Sequence, residues 1–246
     1  MSVQERKQRE RADRERLIVA TARELAERQG WDAVTTRRLA ERIEYSQPVL
    51  YSHFRGKREI IGAVALEGAA ELAAALRAAT RDAAEPRDGA GSRDAAGPQD
   101  GAGPQDGAGL WDGVGPQDGA GLRDGAGAQG WGGSRAEGGS RARVTALARA
   151  YLDFAARNPA VYDAMFRLDG GLAFAREDTP APLKDAFAAF LETLGEVAGE
   201  GVHPALFTEV FWAALHGLAT LTREGRLPPA DAERRTELLV DRLAAF

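Results

Sequence analysis

A glycine-rich segment near the middle of the chain sets the strongest limit on what this sequence can fold into. Residues 86–140 hold 18 of the 29 glycines, and from Gly89 a six-residue unit of the type GAGPQD recurs seven times. This spacing is not the every-third-residue glycine of collagen, and no regular aliphatic position could build the core of a stacked β-coil. So little apolar surface cannot offset the ordering entropy of so much glycine. We therefore expect residues 83–140 to be a disordered insert.

The sequence on both sides of this segment has helical periodicity. Before it, Ile18, Ala22 and Leu25 share one helical face, and Gly30 can end that helix. After it, apolar residues recur at helical spacing, and residues 204–223 are apolar on nearly every side, which predicts a helix buried all round in a core or between subunits. The predicted fold is all-α.

Four regions are expected along the chain. A three-helix head at 1–60 continues into a connecting helix at 61–82, the Gly-rich insert follows at 83–140, and an antiparallel helical domain occupies 141–246. That last domain is long enough for a core of its own.

Charge is distributed unevenly along the chain. The whole sequence carries a net charge of −5, but residues 1–58 hold 14 Lys and Arg against 9 Asp and Glu. A basic first quarter on an acidic protein indicates that only this part approaches a polyanion. Its first cations, Arg6, Lys7, Arg9 and Arg11, are interpreted either as an arm that crosses the phosphates or enters a minor groove of such a polyanion, or as a solvated, frayed extension.

Several classes of protein do not fit the sequence. There is no cysteine, so no disulfide or thiolate site is possible, and the three histidines are not at metal-ligand spacing. No phosphate-binding glycine loop, Gly-x-Ser-x-Gly elbow, secretory signal or apolar run of about 18 residues is present. We expect no enzyme, cofactor, metal site or membrane partner, and a cytoplasmic location.

The head has the spacing of a helix-turn-helix. Thr35 or Thr36 can cap a second helix, and Glu44 and Tyr45 make a tight corner. Ser46 can then cap a third, short helix.

The residues from Val34 to Ile61 resemble the DNA-binding signature of the TetR family. The resemblance is carried by Thr-x-x-x-Leu-Ala from Thr35, by the serine that opens the third helix, and by Leu-Tyr-x-His-Phe-x-x-Lys from Leu50. It implies a homodimer that binds double-stranded DNA. The family commonly has glycine at the position of Glu44 and smaller or more polar residues at 47–49, so the turn geometry and the preferred base sequence stay open.

The candidate DNA contacts divide by what a helix in the major groove can reach. The first exposed residues of the recognition helix can read bases, with Gln47 suited to adenine and Val49 to a thymine methyl. Phosphates need donors beside the groove, and the resemblance implies backbone contacts from Tyr51, His53 and Lys57. For His53 a helix-capping or core role is the alternative. The full predicted set is Thr35, Thr36, Arg37, Arg38, Ser46, Gln47, Pro48, Val49, Tyr51, His53 and Lys57.

The C-terminal half also resembles part of the same family, a subgroup with a Trp-x-x-x-His-Gly helix. Here those positions are Trp212, His216 and Gly217, with the first two on one helical face and the glycine open to close approach by another helix. His216 is interpreted as lining a ligand pocket or as a silent residue of the dimer core. The candidates for pocket or dimer core are Tyr151, Phe154, Phe166, Phe190, Phe211, Trp212, Leu215 and His216.

Together these features predict a ligand-responsive regulator, most simply a repressor, that binds a palindromic operator as a homodimer and answers to an unidentified small-molecule effector. Activation stays open. The alternatives are a protein that coats DNA without an effector and a non-enzymatic adaptor that uses the Gly-rich segment as a linker.

Overall fold

The computed structural model describes residues 2–84 and 133–244, and within them the secondary structure is helical with no strand. This confirms the predicted all-α class. The helices are α1 (Val3–Gln29), α2 (Thr36–Arg42), α3 (Gln47–Tyr51), α4 (Lys57–Ala84), α5 (Gly133–Arg157), α6 (Pro159–Phe166), α7 (Ala181–Leu194), α8 (Pro204–Arg223) and α9 (Ala232–Leu243).

The edges of the predicted insert differ from the structure. α4 continues through Ala84 and α5 begins at Gly133, so both ends of the range 83–140 are helical. Residues 138–143 of α5 are helical, yet none of them is buried, and burial begins at Val144. A search for apolar periodicity therefore starts this helix too late. The hexapeptide units themselves lie outside the described residues.

Local signals in the sequence account for the head. Ser2 and Glu5 form a capping box at the start of α1, and Gly30 ends the helix with φ +79°. Thr35 caps α2 by accepting a hydrogen bond from the Arg38 amide. The core begins at Ile18, which is fully buried. Residues 2–14 are exposed, so α1 extends well beyond that core.

The central element is α4, which belongs to both halves of the molecule. Its first turns complete the core of the head through Ile60 and Val64, and its later turns pack against α5, α6 and α7 through Leu72 and Leu76. Gly68 permits the contact with α6, because a Cβ atom there would lie 2.2 Å from Val161 Cγ1. The expected connecting helix is thus a shared core helix.

Of the two alternatives for α8, burial all round in the core of one subunit is wrong, and burial between subunits stays a prediction. The bounds match the expected 204–223, but only one face is buried, through Phe207, Phe211 and Leu215. Leu206 and Val210 are 57% and 52% exposed. In the part of the chain that the structure describes, α8 is long and apolar enough to cross a membrane, a test that core helices of soluble proteins also pass. Composition does not show how many faces of a helix pack against other helices of the same subunit.

Candidate nucleic-acid interface

α2 and α3 meet at a tight corner whose geometry depends on one residue. Glu44 has φ +58°, in the left-handed region that glycine adopts without steric cost. The Tyr45 amide then donates to the Ala40 carbonyl at 2.9 Å. The corner therefore forms with a glutamate at the position of the expected glycine, at the cost of local backbone strain.

The start of α3 is open to solvent. Ser46 occupies the N-cap position, but its hydroxyl makes no capping hydrogen bond, contrary to the expectation. Ser46, Gln47, Pro48 and Val49 are all exposed, whereas Leu50 is fully buried and fixes the helix on the head. Four successive side chains at the beginning of this helix are thus free to meet another surface.

The polar groups beside α3 are partly engaged within the head. The hydroxyls of Thr36 and Tyr51 lie 3.3 Å apart, which places α2 and the end of α3 side by side. Arg37 is 78% exposed and pairs with Glu41 one turn later, while Arg38 donates to Gln29 at 2.8 Å. Thr36 and Tyr51 thus lie together beside the exposed α3 face, whereas Arg38 is bonded to the end of α1.

Two further candidates point inward. The His53 side chain is only 6% exposed, and its Nδ1 atom lies 3.3 Å from the Glu15 carboxylate on α1. The Lys57 ammonium donates to the Trp31 carbonyl. Hydrogen bonding by Arg11 first, and by His53 to a smaller extent, lowers the pKa of Glu15. In this arrangement His53 ties the end of the recognition helix to α1, as its alternative interpretation described, and contact with DNA by His53 stays a prediction.

The head is joined to the C-terminal domain by contacts besides α4. The Glu27 carboxylate accepts hydrogen bonds from the amides of Ala160 and Val161 at the start of α6, at 3.1 and 3.2 Å. The Trp31 indole donates to the Ala160 carbonyl at 2.8 Å. Arg23 donates to Asn158 just before that helix. The beginning of α6 is therefore held directly by the head.

A second junction lies at the start of α4. Arg58 donates to Asp169 at 3.0 Å, and a Cβ atom on Gly62 would lie 2.5 Å from the carbonyl oxygen of Gly170. The pKa of Asp169 is lowered first by the Gly171 amide and then by Arg58. The loop after α6 is thus in backbone contact with the helix that follows the head.

In the C-terminal domain, several predicted residues form an aromatic cluster with a polar centre. The Tyr162 hydroxyl lies 2.9 Å from the Tyr151 hydroxyl and 2.6 Å from His216 Nδ1. Trp212 donates to the Tyr151 hydroxyl at 3.2 Å. Phe166 and Phe190 pack edge-on against this group. We call Tyr151, Tyr162, Phe166, Phe190, Trp212 and His216 the aromatic cluster.

Burial sets the ionisation of the cluster. It raises the pKa of Tyr151 and of Tyr162, so both hydroxyls stay protonated. Burial, followed by the charges of Arg223 and Arg167, lowers the pKa of His216. The imidazole is therefore neutral near pH 7, and its Nδ1 atom can accept the Tyr162 proton in a hydrogen bond.

The other pocket candidates lie around this cluster. Phe211 and Leu215 are fully buried on the same face of α8 and belong to the core. Phe154 contributes instead to an open groove of about 600 Å³ between α4 and α5, whose floor includes Ala75, Ala79 and Ala150. The predicted set is therefore split between a packed cluster and a groove.

Sequence reasoning missed residues that matter to both halves. Tyr162 lies at the centre of the cluster, Glu27 holds the start of α6, and Arg223 donates to Asp163 at 2.7 Å with its guanidinium 5.6 Å from the Tyr162 ring centre. Glu27 and Arg223 carry no local signal, because their partners are 60 or more residues away in the chain. Tyr162 was recognisable only as one more apolar position of α6.

Comparison with solved structures gives the fold. A protein of unknown function from Rhodococcus sp. RHA1 is 20% identical with a TM-score of 0.60, covering 94% of this chain and 95% of its own. A structure described as a regulatory protein is 18% identical with a TM-score of 0.59, covering 96% and 97%. A TetR family transcriptional regulator from Thermus thermophilus is 16% identical with a TM-score of 0.46, covering 92% and 96%. No curated protein matches the chain as a relative.

Family comparison covers both halves. Residues 18–64 match the bacterial regulatory proteins of the tetR family, and residues 144–243 match the tetracyclin repressor-like C-terminal domain. Together the two matches take in more than half of the chain, and they include the exposed recognition helix and the aromatic cluster. The subgroup marked by Trp-x-x-x-His-Gly is not distinguished by either match. With a helix-turn-helix head and a TetR-type C-terminal domain, this chain belongs to the TetR family of transcription regulators.

Proposed function

We propose that this protein is a ligand-responsive repressor that binds a palindromic operator as a homodimer. The observation that carries the proposal is the exposed start of α3, where Gln47 and Val49 face solvent while Leu50 is fully buried. A buried anchor next to exposed reading residues is the arrangement that places a recognition helix in a major groove.

Specificity and affinity would come from different side chains. The Gln47 amide can form paired hydrogen bonds with adenine, and the Val49 methyl groups can pack on a thymine methyl. Thr36, Arg37 and Tyr51 would contact phosphates on the rim, where a contact fixes position without reading sequence. Arg38 and Lys57 would have to leave or share their present acceptors to do the same.

Dimerisation would use the uncovered face of α8 and the adjoining face of α9. On α8, five small or apolar residues at spacings of three and four form one stripe that is exposed or half-buried, namely Leu206, Val210, Ala213, Gly217 and Leu221. A Cβ atom on Gly217 would meet nothing within 4 Å. On α9, Leu238 is 56% exposed.

The proposed occupant of this stripe is a second copy of the chain. An exposed apolar stripe on a soluble protein indicates an interface. A two-fold partner also supplies the second head that a palindrome requires. The stripe thereby accounts for α8 being apolar without being buried in one subunit.

The effector would bind at the aromatic cluster. Ligand sites combine an apolar wall with a few polar groups, and the cluster offers aromatic rings around the Tyr151, Tyr162 and His216 centre. The Thr220 hydroxyl, one turn after His216, is buried and has no hydrogen bond of good geometry within the described residues. The proposed effector is therefore a largely apolar molecule with a hydrogen-bonding group.

The response to the effector would pass through the junctions with the head. Tyr162 is on α6, whose first amides are bonded to Glu27, and α4 runs from the head into the C-terminal domain. A shift of α6 would therefore change the position of the head. Coupling of this kind is typically worth about 1 to 3 kcal/mol, or roughly 5- to 150-fold in affinity, and it is reciprocal.

Selection of bound sequences from random duplex DNA tests the central proposal. We expect a palindrome whose half-sites are one helical turn apart or a multiple of it. Gln47→Ala should alter the preferred bases, and Arg37→Gln should weaken binding to all sequences about equally and reduce the salt dependence. Arg28→Gln is the matched control, because Arg28 is also an exposed arginine paired one turn away but lies at the far end of α1. Absence of any selected sequence at low salt would refute the proposal, and binding without sequence preference would favour a DNA-coating protein.

A screen for ligands that raise the melting temperature tests the effector part. A compound that stabilises the protein should lower its affinity for operator DNA. Operator DNA should in turn lower the affinity for the compound by the same factor. Tyr162→Phe should reduce its affinity, and Val202→Ala, at an exposed position before α8, should not. Compounds that bind with equal affinity to the free and DNA-bound protein would show that the aromatic cluster does not control DNA binding.

A further inference from the structure

The first three turns of α1 form a charged helix that lies outside the core of the head. Residues 2–14 are all exposed, and the first buried residue of α1 is Ile18. The helix is nevertheless continuous from Val3 and carries a capping box at its start. The TetR family match begins only at residue 18, so it does not cover these turns.

The direction of α1 determines where these turns point. Near its C-terminal end, Glu27 contacts the start of α6 in the C-terminal domain. Three turns earlier, Glu15 contacts His53, two residues after the end of the recognition helix α3. Residues 3–14 continue along the same line for about 18 Å at 1.5 Å per residue. They therefore extend beyond the contact with His53 in the direction away from the C-terminal domain.

Three cations of this segment lie on one face of the helix. Lys7, Arg11 and Arg14 recur at i, i+4 and i+7, and the same stripe continues as Ile18 and Leu25 in the core of the head. The cations thus lie on the same flank of α1 as the residues that pack against the other helices of the head. Lys7 and Arg14 form no ion pair within residues 2–84 or 133–244.

The outer face of the same turns also carries cations. Arg9 and Arg16 also recur at i+7, on the face turned away from the core, and Arg16 pairs with Asp13. Arg6 and Glu10 pair with each other, and so do Arg11 and Glu15. The acidic residues therefore neutralise part of the helix, and within residues 2–84 and 133–244 they leave Lys7 and Arg14 on the inner stripe and Arg9 on the outer face without an ion pair.

We propose that the stripe of Lys7, Arg11 and Arg14 is a second DNA-contact element, which binds phosphates flanking the base pairs read by α3. This rests on the proposed function, because it assumes that α3 enters a major groove. The helix would lengthen the footprint of each head and add affinity without sequence preference. It also accounts for a charged helix that is capped and continuous although it buries nothing.

The test compares two double variants of the full chain with the same change in charge. Lys7→Gln with Arg14→Gln removes two inner cations, and Arg9→Gln with Arg16→Gln removes two outer cations at the same spacing. For a dimer, the inner pair should reduce the slope of log affinity against log salt by about 3 to 4 and lower affinity roughly tenfold or more. The outer pair should change both much less.

Duplexes of different length and sequence show whether the helix contacts the DNA that flanks the palindrome. They also separate this contact from operator recognition by α3. The wild type should bind the selected palindrome more weakly when one helical turn of flanking DNA is removed from each side, and the inner variant should lose that difference. A mixed-sequence duplex is measured in parallel, so the slopes are compared even if no palindrome is selected. Equal slopes for the inner and outer variants, or no effect of trimming on the wild type, would overturn the inference and leave the proposed operator binding intact.

Circular dichroism and melting temperature exclude a trivial cause. Both variants keep the capping box of Ser2 and Glu5 and touch no buried residue, so both should retain the helix content and melting temperature of the wild type. Loss of helix in the inner variant alone, without a change in the salt slope, would assign the stripe a structural role and overturn the contact with DNA.

Discussion

The two halves of the molecule present their candidate functional residues in opposite ways. In the head, Gln47 and Val49 stand on an exposed surface, and the residues that support them, such as Leu50, are separate and buried. In the C-terminal domain, Tyr151 and Phe211 are fully buried, so the candidate ligand site and the core share side chains. A substitution on a surface that reads DNA removes no core contact, whereas a substitution at a ligand site inside a bundle also changes the core.

The largest effect is expected from removing a core ring of the C-terminal domain. Phe211→Ala should lower the free energy of unfolding by about 3 to 5 kcal/mol, because the fully buried ring leaves a cavity. Val49→Ala in the head should change it by no more than about 0.5 kcal/mol while altering base preference. Chemical denaturation measures both. Equal losses of stability would remove the contrast between the two halves.

A smaller effect is expected at the contact between α4 and α6. Gly68→Ala should cost about 1 to 3 kcal/mol, because its Cβ would lie 2.2 Å from Val161 Cγ1 and 3.0 Å from Met165 Sδ. Gly217→Ala on α8 meets nothing within 4 Å and should not destabilise the subunit. It should instead weaken the proposed dimer, which sedimentation equilibrium would detect. Destabilisation of the subunit by Gly217→Ala would contradict the open stripe.

In the head, the corner between α2 and α3 offers a gain in stability. Glu44→Gly should relieve the left-handed backbone at φ +58° and raise the free energy of unfolding by up to about 1 kcal/mol. Glu41→Gly, within α2, is the control and should lower stability by a similar amount. Thermal melting distinguishes the two. A loss of stability in Glu44→Gly would mean that the Glu44 side chain has a role which the strain argument omits.

The smallest effect concerns pH and the aromatic cluster. Burial lowers the pKa of His216 in the folded chain, so its contribution to stability is complete above the usual histidine value of about 6.5 and declines as the pH falls below it. His216→Asn should reduce the difference between the melting temperatures measured above and below the usual histidine pKa. His203→Asn, at an exposed position before α8, should leave that difference unchanged. An unchanged pH dependence in His216→Asn would show that the imidazole is not held neutral by its surroundings.

The sequence by itself determined the helical class, the caps at Gly30 and Thr35, and the stretch from Val34 to Ile61 that carries the family signature. These features depend on neighbours within a few turns, and the exposed start of α3 has a composition that a core would not tolerate. Local sequence therefore contains the necessary information, with one exception at Ser46, whose capping bond does not form.

Only the tertiary structure decided which side chains meet across the chain. Tyr162 and His216 are 54 residues apart and bond at 2.6 Å, and Glu27 bonds to α6 across 133 residues. The same applies to α8, whose apolar faces look alike in the sequence but of which one is packed and the other uncovered. Apolar periodicity indicates that a helix face is to be buried. The arrangement of the other helices decides whether that face is buried within one subunit.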